Sequence, residues 1–404
     1  MRKMKILIVS QYYLPEQFLI NEIAPELVKR GHEVTVLTGL PNYPDGIIPA
    51  EYRHDGKREE TVDGVSVIRC GEIGRRGGAA KLLLNYVSFA VSGCRKAKGL
   101  KPGFDVILSY QLSPVAMAAP AVRYKKKHGT PLLLYCLDLW PESAQAHVHN
   151  DRGLLYKWIC SYSKRLYNAC DRIAVTSEPF IDYMRTVNRI APGKLCYIPQ
   201  HADAGMLDMD IGSEDNGIAD FMFAGNLGKG QKTETLLKAA ALLKNEGTEG
   251  FVIHIVGDGS RRRTLEQAAK NEGVAELIIF HGQQQKSDMP SYYKKADALL
   301  LTLRGDNFVG NTMPGKLQAY MTAGKPVFGA INGAARQVIE KSGCGACVPA
   351  EDFAGLAGIM KDYICNPEKY RECGEKARNY FKKHFTLPVF MDRLENELTE
   401  LAVK

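Results

Sequence analysis

Short apolar runs closed by turn residues alternate along this chain with longer stretches whose apolar positions recur every three or four residues. The first unit predicts a strand over 5–10, a helix over 19–30 and a strand over 33–38, with Gly31 and His32 in the turn between helix and second strand. Further strands are expected at 65–69, 105–110, 132–136, 172–176 and 194–198, then at 220–224, 251–256, 277–280, 298–301, 326–329 and 346–348. Strands this apolar and β-branched, separated by helices, belong to a parallel sheet covered on both faces, so none of those in the first half is expected at an edge. The pattern pauses after Pro199 in a loop rich in Asp and Gly over 202–219, which reads as a linker. The fold class expected is α/β, with two Rossmann-like, doubly wound parallel-sheet domains. A last helix, over 387–402, follows the break at Thr386-Leu387-Pro388.

The length, 404 residues, suits two domains, and 45% hydrophobic with 24% charged residues is globular composition, which excludes collagen, coiled coil and extended disorder. No run approaches the roughly 18 apolar residues of a spanning helix. The apolar stretch near the start is too short for a secretory signal, so the chain is expected in the cytoplasm. Ten Cys scattered through apolar runs read as reduced, buried thiols, and the pair Cys344 and Cys347 lacks the second pair or nearby His of a zinc or redox site.

Charge is unevenly placed. Residues 1–204 hold 28 Lys and Arg against 19 Asp and Glu, a net of +9, whereas residues 205–404 are at −1. Between Glu72 and Asp105 lie Arg75, Arg76, Lys81, Arg95, Lys96, Lys98 and Lys101 and no acid, and among them the stretch 79–91 carries Leu82, Leu83, Leu84, Val87, Phe89 and Val91. Two readings stand: an apolar, cation-flanked helix lying in a lipid headgroup layer, or a buried domain helix with solvated ends. Zinc-finger spacing, RNA-recognition signatures and an aromatic-rich basic stripe are all missing, which argues against a nucleic-acid partner.

Several strand-to-helix turns can carry chemistry. Gly225-Asn226-Leu227-Gly228-Lys229-Gly230-Gln231-Lys232 follows a strand and opens a helix over 233–243; its glycines let backbone approach a ligand, and the helix start offers unpaired amides to a phosphate. It is neither a P-loop nor a dinucleotide fingerprint. The long loop from Leu303 to Lys316, with Asp306, Asn307, Asn311, Thr312, Met313, Pro314 and Gly315, ends on a helix over 317–323 that Thr312 is expected to cap, beside Lys316. Two anion-receiving helix starts in one domain suit a diphosphate. Gly257-Asp258-Gly259 with Arg261 to Arg263 forms a third turn, and His281-Gly282 at another strand end offers backbone to a flat base.

In the first half, Asp138-Leu139-Trp140-Pro141-Glu142 follows a buried strand, so that Asp138 reads either as a general base or as a helix cap. Loops at equivalent strand ends, 11–16, 41–44 and 109–114, are polar and aromatic and suit an acceptor pocket. Asp208-Met209-Asp210 lies in the linker and reads as solvated charge; no metal site is expected, since lysines and helix ends can neutralise a leaving diphosphate.

Residues 11–16, Gly31-His32-Glu33-Val34-Thr35-Val36-Leu37-Thr38-Gly39, Pro41-Asn42-Tyr43-Pro44, Asp138 to Ser143, Phe223 to Gly228, Pro314-Gly315-Lys316 and Ala323 to Val327 resemble family 4 glycosyltransferases, retaining enzymes built of two facing Rossmann-like domains, the GT-B fold. The likeness spans essentially the whole chain and is to the branch with bacterial capsule, O-antigen and exopolysaccharide transferases, including N-acetylfucosamine-type enzymes. It implies a nucleotide-sugar donor on the second domain, 205–386, and a lipid-linked acceptor on the first, 1–204, with 387–404 crossing back to the first. Family diphosphate positions fall on Asn226 and Gln231, the paired glutamates on Asn311 and Ala319, and the acceptor-side His on Leu137.

The expectation is therefore retaining transfer from a UDP-sugar, an N-acetylated hexosamine or deoxyhexosamine, to a polyprenyl-pyrophosphate-linked saccharide at the inner membrane face, with no cofactor and no metal. Asp138, Glu142, Lys229 and Lys316 are the catalytic candidates, and Gly225, Asn226, Gly228, Gly257, His281, Gly282, Asp306, Asn307, Asn311 and Thr312 to Gly315 are the donor-binding ones. Two alternatives remain: a UDP-sugar epimerase of the same fold, and a non-enzymatic membrane- or nucleic-acid-binding protein that uses the basic half.

Overall fold

The computed structural model describes residues 2–54, 56–143, 153–214, 216–305 and 312–403. They form two compact units, Met1–Ile198 with Met391–Lys404, and Pro199–Phe390.

Unit 1 is built from β1 (Lys5–Val9), α1 (Ile20–Lys29), β2 (Glu33–Thr38), β3 (Glu59–Val62), β4 (Val65–Arg69), α2 (Ala79–Gly99), β5 (Val106–Gln111), α3 (Ala119–His128), β6 (Leu132–Cys136), α4 (Leu154–Asn168), β7 (Arg172–Val175), α5 (Glu178–Thr186) and β8 (Leu195–Tyr197). Its eight strands run in the order β3-β4-β2-β1-β5-β6-β7-β8. All pairs are parallel except β3 with β4. The antiparallel β3 is a strand the periodicity does not announce, because Glu59-Glu60-Thr61-Val62 has no apolar face. Its signal is the Asp63-Gly64 turn, where φ of 52° and 77° at consecutive residues gives the mirror-image turn that a tight hairpin needs. A second correction concerns the segment 194–198: Leu195–Tyr197 is the sheet's half-buried edge, not an interior strand.

Helix α2 continues eight residues past the expected 79–91. Asn85, Phe89, Gly93 and Ala97, four apart, form its buried face. A Cβ on Gly93 would stand 2.7 Å from Pro120 Cγ, so glycine there lets α2 and α3 approach closely.

Unit 2 holds β9 (Ala219–Ala224), α6 (Glu234–Asn245), β10 (Phe251–Val256), α7 (Arg262–Asn271), β11 (Ile278–Gly282), α8 (Met289–Lys295), β12 (Ala298–Thr302), α9 (Gly315–Ala323), β13 (Val327–Ala330), α10 (Gly333–Ser342), β14 (Gly345–Val348), α11 (Phe353–Cys365) and α12 (Cys373–His384). The six strands are parallel, in the order β11-β10-β9-β12-β13-β14, between two apolar cores. In both sheets the strand order reverses beside the first strand of the unit, between β1 and β5 and between β9 and β12, the place at which open α/β sheets take their ligands.

Helix α13 (Leu387–Val403) starts within unit 2 and from Met391 onward packs with unit 1. There Glu395, 1% exposed, takes Arg30 Nη1 at 2.9 Å and His32 Nε2 at 3.0 Å. The Nδ1 of His32 accepts the Met4 amide at 3.2 Å, which leaves Nε2 as the nitrogen that donates to Glu395. All ten cysteines are free; burial pushes the Cys344 thiol up to about 12.

Candidate active site

In unit 2 the turns after β9, β10 and β11 are laced by backbone. Gly225 N–H donates to Val256 O at 2.8 Å, Leu227 N–H to Asp258 O at 2.9 Å, and Gly257 N–H to Gly282 O at 2.8 Å. A Cβ on Gly257 would stand 1.9 Å from Gly225 O, at a φ of 137°. One on Gly259 would stand 2.6 Å from Asn226 Oδ1. These two glycines serve the nesting of one turn on the next, whereas nothing lies within 4 Å of the Cβ direction of Gly230.

Lys316 is fixed here by its own helix. Tyr320, one turn later on the same face of α9, accepts the Ala224 N–H at 2.8 Å and donates to Ala224 O at 3.1 Å, pinning α9 to the end of β9. The Lys316 ammonium consequently lies 3.0 Å from the Cβ direction of Gly225, over the Phe223 ring with Nζ 3.8 Å from its centroid, and donates to Gln231 Oε1 at 2.6 Å. Burial lowers its pKa to about 7. No carboxylate accompanies it among these contacts, and an ammonium half out of water with a free amide-bearing helix start beside it is suited to an anionic ligand. Asn226 and Lys229 are exposed, Lys229 forms no ion pair or hydrogen bond among the described residues, and Gly228 lies between them. Lys232 is instead committed to Glu351 at 2.8 Å, and Arg261 and Arg262 to Glu234, Asp258 and Glu266.

The expectation that Thr312 caps α9 is corrected: Pro314 is the cap, Gly315 the first helical residue, Thr312 is exposed and Met313 packs on the core. Asp306, Asn307 and Asn311 lie outside the described residues. His281, at the end of β11, joins a buried relay the sequence does not announce. Its Nε2 is 2.8 Å from His254 Nδ1, and His254 Nε2 is 2.8 Å from Asp220 Oδ1. Burial first, then His254, lowers the His281 pKa. With Asp220 accepting, each ring donates from Nε2, which fixes both tautomers.

In unit 1 the corresponding strand ends bring together Asp138, Ser113, Trp140, Tyr86 and the loop residues Gln11 to Glu16 and Asn42 to Tyr43. Asp138 does not cap an α-helix; burial raises its pKa, and the Ser113 hydroxyl and amide bind the carboxylate and oppose that rise. Trp140 Nε1 donates to Ser113 Oγ at 3.1 Å. Glu142 lies apart from this group in its bonding, taking the Tyr183 hydroxyl of α5 at 2.9 Å. Rings of Tyr12, Phe18 and Tyr43 pack together, with centroids 5.0 to 6.1 Å apart, and the Arg75 guanidinium stands 4.2 Å from the Tyr43 centroid.

Among the described residues no three of His, Cys, Asp and Glu gather into a metal-holding cluster. Asp208 pairs with Lys382 at 3.5 Å, and Asp210 accepts the Gly212 amide.

Residues 19–201 match the glycosyl transferase 4-like domain, and residues 209–380 match the glycosyl transferases group 1 family. Each half of the chain thus carries a glycosyltransferase domain, the second of the group 1 family. Its similarity to the putative colanic acid biosynthesis glycosyl transferase WcaI of Escherichia coli (strain K12) is 25% identity, over 96% of this chain and 99% of that protein. The probable glycosyltransferase WbjE of Pseudomonas aeruginosa is 27% identical over 65% of this chain and 66% of its own length. The fold is GT-B, that of solved glycosyltransferases. One of these, Anabaena Alr3699/HepE in complex with UDP, superposes with a TM-score of 0.69 over 98% of this chain and 100% of that one at 14% identity.

Among the described residues no helix of this glycosyltransferase is long and apolar enough to cross a membrane. On α2, Leu83 (63%), Leu84, Val87 and Val91 are exposed, and on α4 so are Leu154 (86%), Leu155 and Trp158.

Proposed function

We propose that this glycosyltransferase moves a sugar from a UDP-sugar, with retention, to a lipid-linked saccharide during synthesis of a bacterial surface polysaccharide. The observation that carries the reading is the partly buried Lys316 ammonium above Gly225 at the strand-order reversal of unit 2, which pairs with no carboxylate among the described residues. As the glycosidic bond breaks, charge grows on the leaving diphosphate; Lys316, the amides at the start of α9 and the exposed Lys229 supply positive charge there. His281 and Gly282 at the end of β11 fit the base. The names of WcaI and HepE, the first tied to colanic acid and the second bound to UDP, support a surface polysaccharide and a uridine donor. The sugar we favour is an N-acetylated hexosamine or deoxyhexosamine.

Asp138, with its raised pKa and its Ser113 partner, orients the acceptor hydroxyl in unit 1. In a front-face route the leaving phosphate can take the proton. The acceptor reaches unit 1 from a membrane surface, which the exposed apolar side of α2, flanked by Arg75, Arg76, Lys81, Arg95, Lys96 and Lys98, fits by its chemistry.

The test is a UDP-release screen across nucleotide sugars, with and without a polyprenyl-pyrophosphate saccharide and with and without EDTA. Release that needs the acceptor and persists in EDTA is expected. Rearrangement of UDP-N-acetylglucosamine without acceptor supports an epimerase instead, and no release from any donor leaves only a binding protein.

A further inference from the structure

Glu72 follows β4 as an isolated acid before a long cationic stretch, and in the fold it is 8% exposed in the middle of the loops at the carboxyl edge of the first sheet. Its Oε1 accepts Gln11 Nε2 at 2.7 Å, Asn85 Nδ2 at 2.6 Å and Asn42 Nδ2 at 3.3 Å. Its Oε2 is buried with no hydrogen-bond partner among the described residues, and so is Gln11 Oε1. One side chain therefore ties the loop after β1, the loop after β2 and helix α2. Asn42 is held from the other side too, since its amide and that of Tyr43 donate to Glu16 Oε1 at 2.8 and 2.6 Å.

We propose that Glu72 is the positioning residue of the acceptor side, holding loops 11–16 and 41–44 so that the exposed Tyr43 ring, backed by Phe18 and the buried Tyr12 and with Arg75 over it, forms the surface on which an acceptor's sugar ring stacks beside its phosphates. This rests on unit 1 taking the acceptor. Tyr43 is 46% exposed and offers a ring face, and the Arg75 guanidinium above it offers charge for a phosphate. Asn85 lies on the buried side of the helix whose opposite side is apolar and exposed, so the same network also sets α2.

The bonding argues that Glu72 works as the neutral acid: a carboxylate would bury one charged oxygen with no donor, whereas a proton on Oε2 removes that charge at the smaller cost of a buried hydroxyl and leaves Oε1 to take three amides. Burial, with Glu16 adding to it, raises its pKa to about 8, while the amide donors Gln11, Asn42 and Asn85 oppose the rise. The other titratable or charged groups around it are Tyr12, Cys70 and Arg75. Above pH 8 a second carboxylate then appears next to Glu16, and the loops should loosen.

Amide hydrogen exchange over 39–46, corrected for intrinsic rates, measures this without any substrate. In the wild type, protection should fall at least tenfold between pH 7 and 9, and in Glu72→Gln it should not. Loss in both proteins, or in neither, overturns the role of Glu72 whatever the enzyme transfers. With the lipid-pyrophosphate acceptor, Glu72→Ala should raise acceptor KM at least tenfold with donor KM unchanged, and Glu72→Gln should keep it within about twofold at pH 7 and flat to pH 9. Equal changes in donor and acceptor KM, or a Gln variant that keeps the alkaline rise, overturn the proposal. A wild type that transfers to no such acceptor overturns the reading under Proposed function, and the exchange result on Glu72 stands apart from it.

Discussion

The Lys316 ammonium donates to Gln231 Oε1 at 2.6 Å, joining the start of α9 to the turn that leaves β9. Sequence separates the two by 85 positions; Tyr320, bonded to both backbone atoms of Ala224, brings them together. A neutral amide stabilises the cation without cancelling it, so the charge remains for a ligand.

Lys316→Ala should lower turnover at least tenfold, and Lys229→Ala, which removes an exposed charge, by less. Because the pKa of Lys316 is lowered to about 7, the free enzyme carries this charge below pH 7 and loses it above. A diphosphate binds the charged form, so donor KM should rise above pH 7, by up to about tenfold per pH unit, and the rise should vanish in Lys316→Ala. Donor KM measured from pH 6 to 9 in both proteins checks this.

Asp138→Asn should cut transfer by about 10²-fold with donor KM unchanged, since it alters only the group meeting the acceptor. Steady-state kinetics with each substrate varied in turn separates the two terms. A loss confined to donor KM would remove Asp138 from the acceptor side.

Gly257→Ala should destabilise unit 2 by about 3 kcal/mol or more, because the new methyl meets Gly225 O at 1.9 Å on a backbone held at φ of 137°. Gly230→Ala, with open space around its Cβ, should cost under about 1 kcal/mol. Paired thermal melts decide between them.

Glu395→Ala should destabilise unit 1 by about 3 kcal/mol, since Arg30 and the buried His32 lose their shared acceptor. Proteolysis should then release the end of α13 earlier than in the wild type. An unchanged melt would mean the triad contributes nothing measurable.

Charged substitutions on the exposed apolar side of α2, Leu84→Glu with Val87→Glu, should reduce co-sedimentation with anionic vesicles at least tenfold while leaving the melt unchanged. Binding equal to the wild type would place the membrane contact elsewhere.

Much of the fold was legible because parallel strands are buried on both faces and therefore read as continuous apolar runs. The segments 33–38, 65–69, 132–136 and 251–256 are strands to the residue. Strand β3 was not legible by periodicity, since an edge strand with one hairpin neighbour needs no apolar face. The 31–32 motif shows the same limit for chemistry. Sequence marks His32, but only α13, arriving from more than 360 positions away, turns it into a fastening for the last helix. Glu72 carried one faint signal, an acid three residues after a strand and alone before a long run of cations. Nothing along the chain places Gln11, Asn42 and Asn85 around it.

What the sequence determined by itself is the alternation of buried strands and amphipathic helices, the two repeats of it, and which turns hold glycine and lysine. Those follow from local periodicity and from conformations open to one residue type. The tertiary structure decided which of those turns touch: that Gly257 serves Gly225, that Lys232 is spent on Glu351 while Lys316 keeps its charge, and that Glu72 is buried among amides. These depend on strand order and on desolvation by distant segments, and neither is written at any one place along the chain.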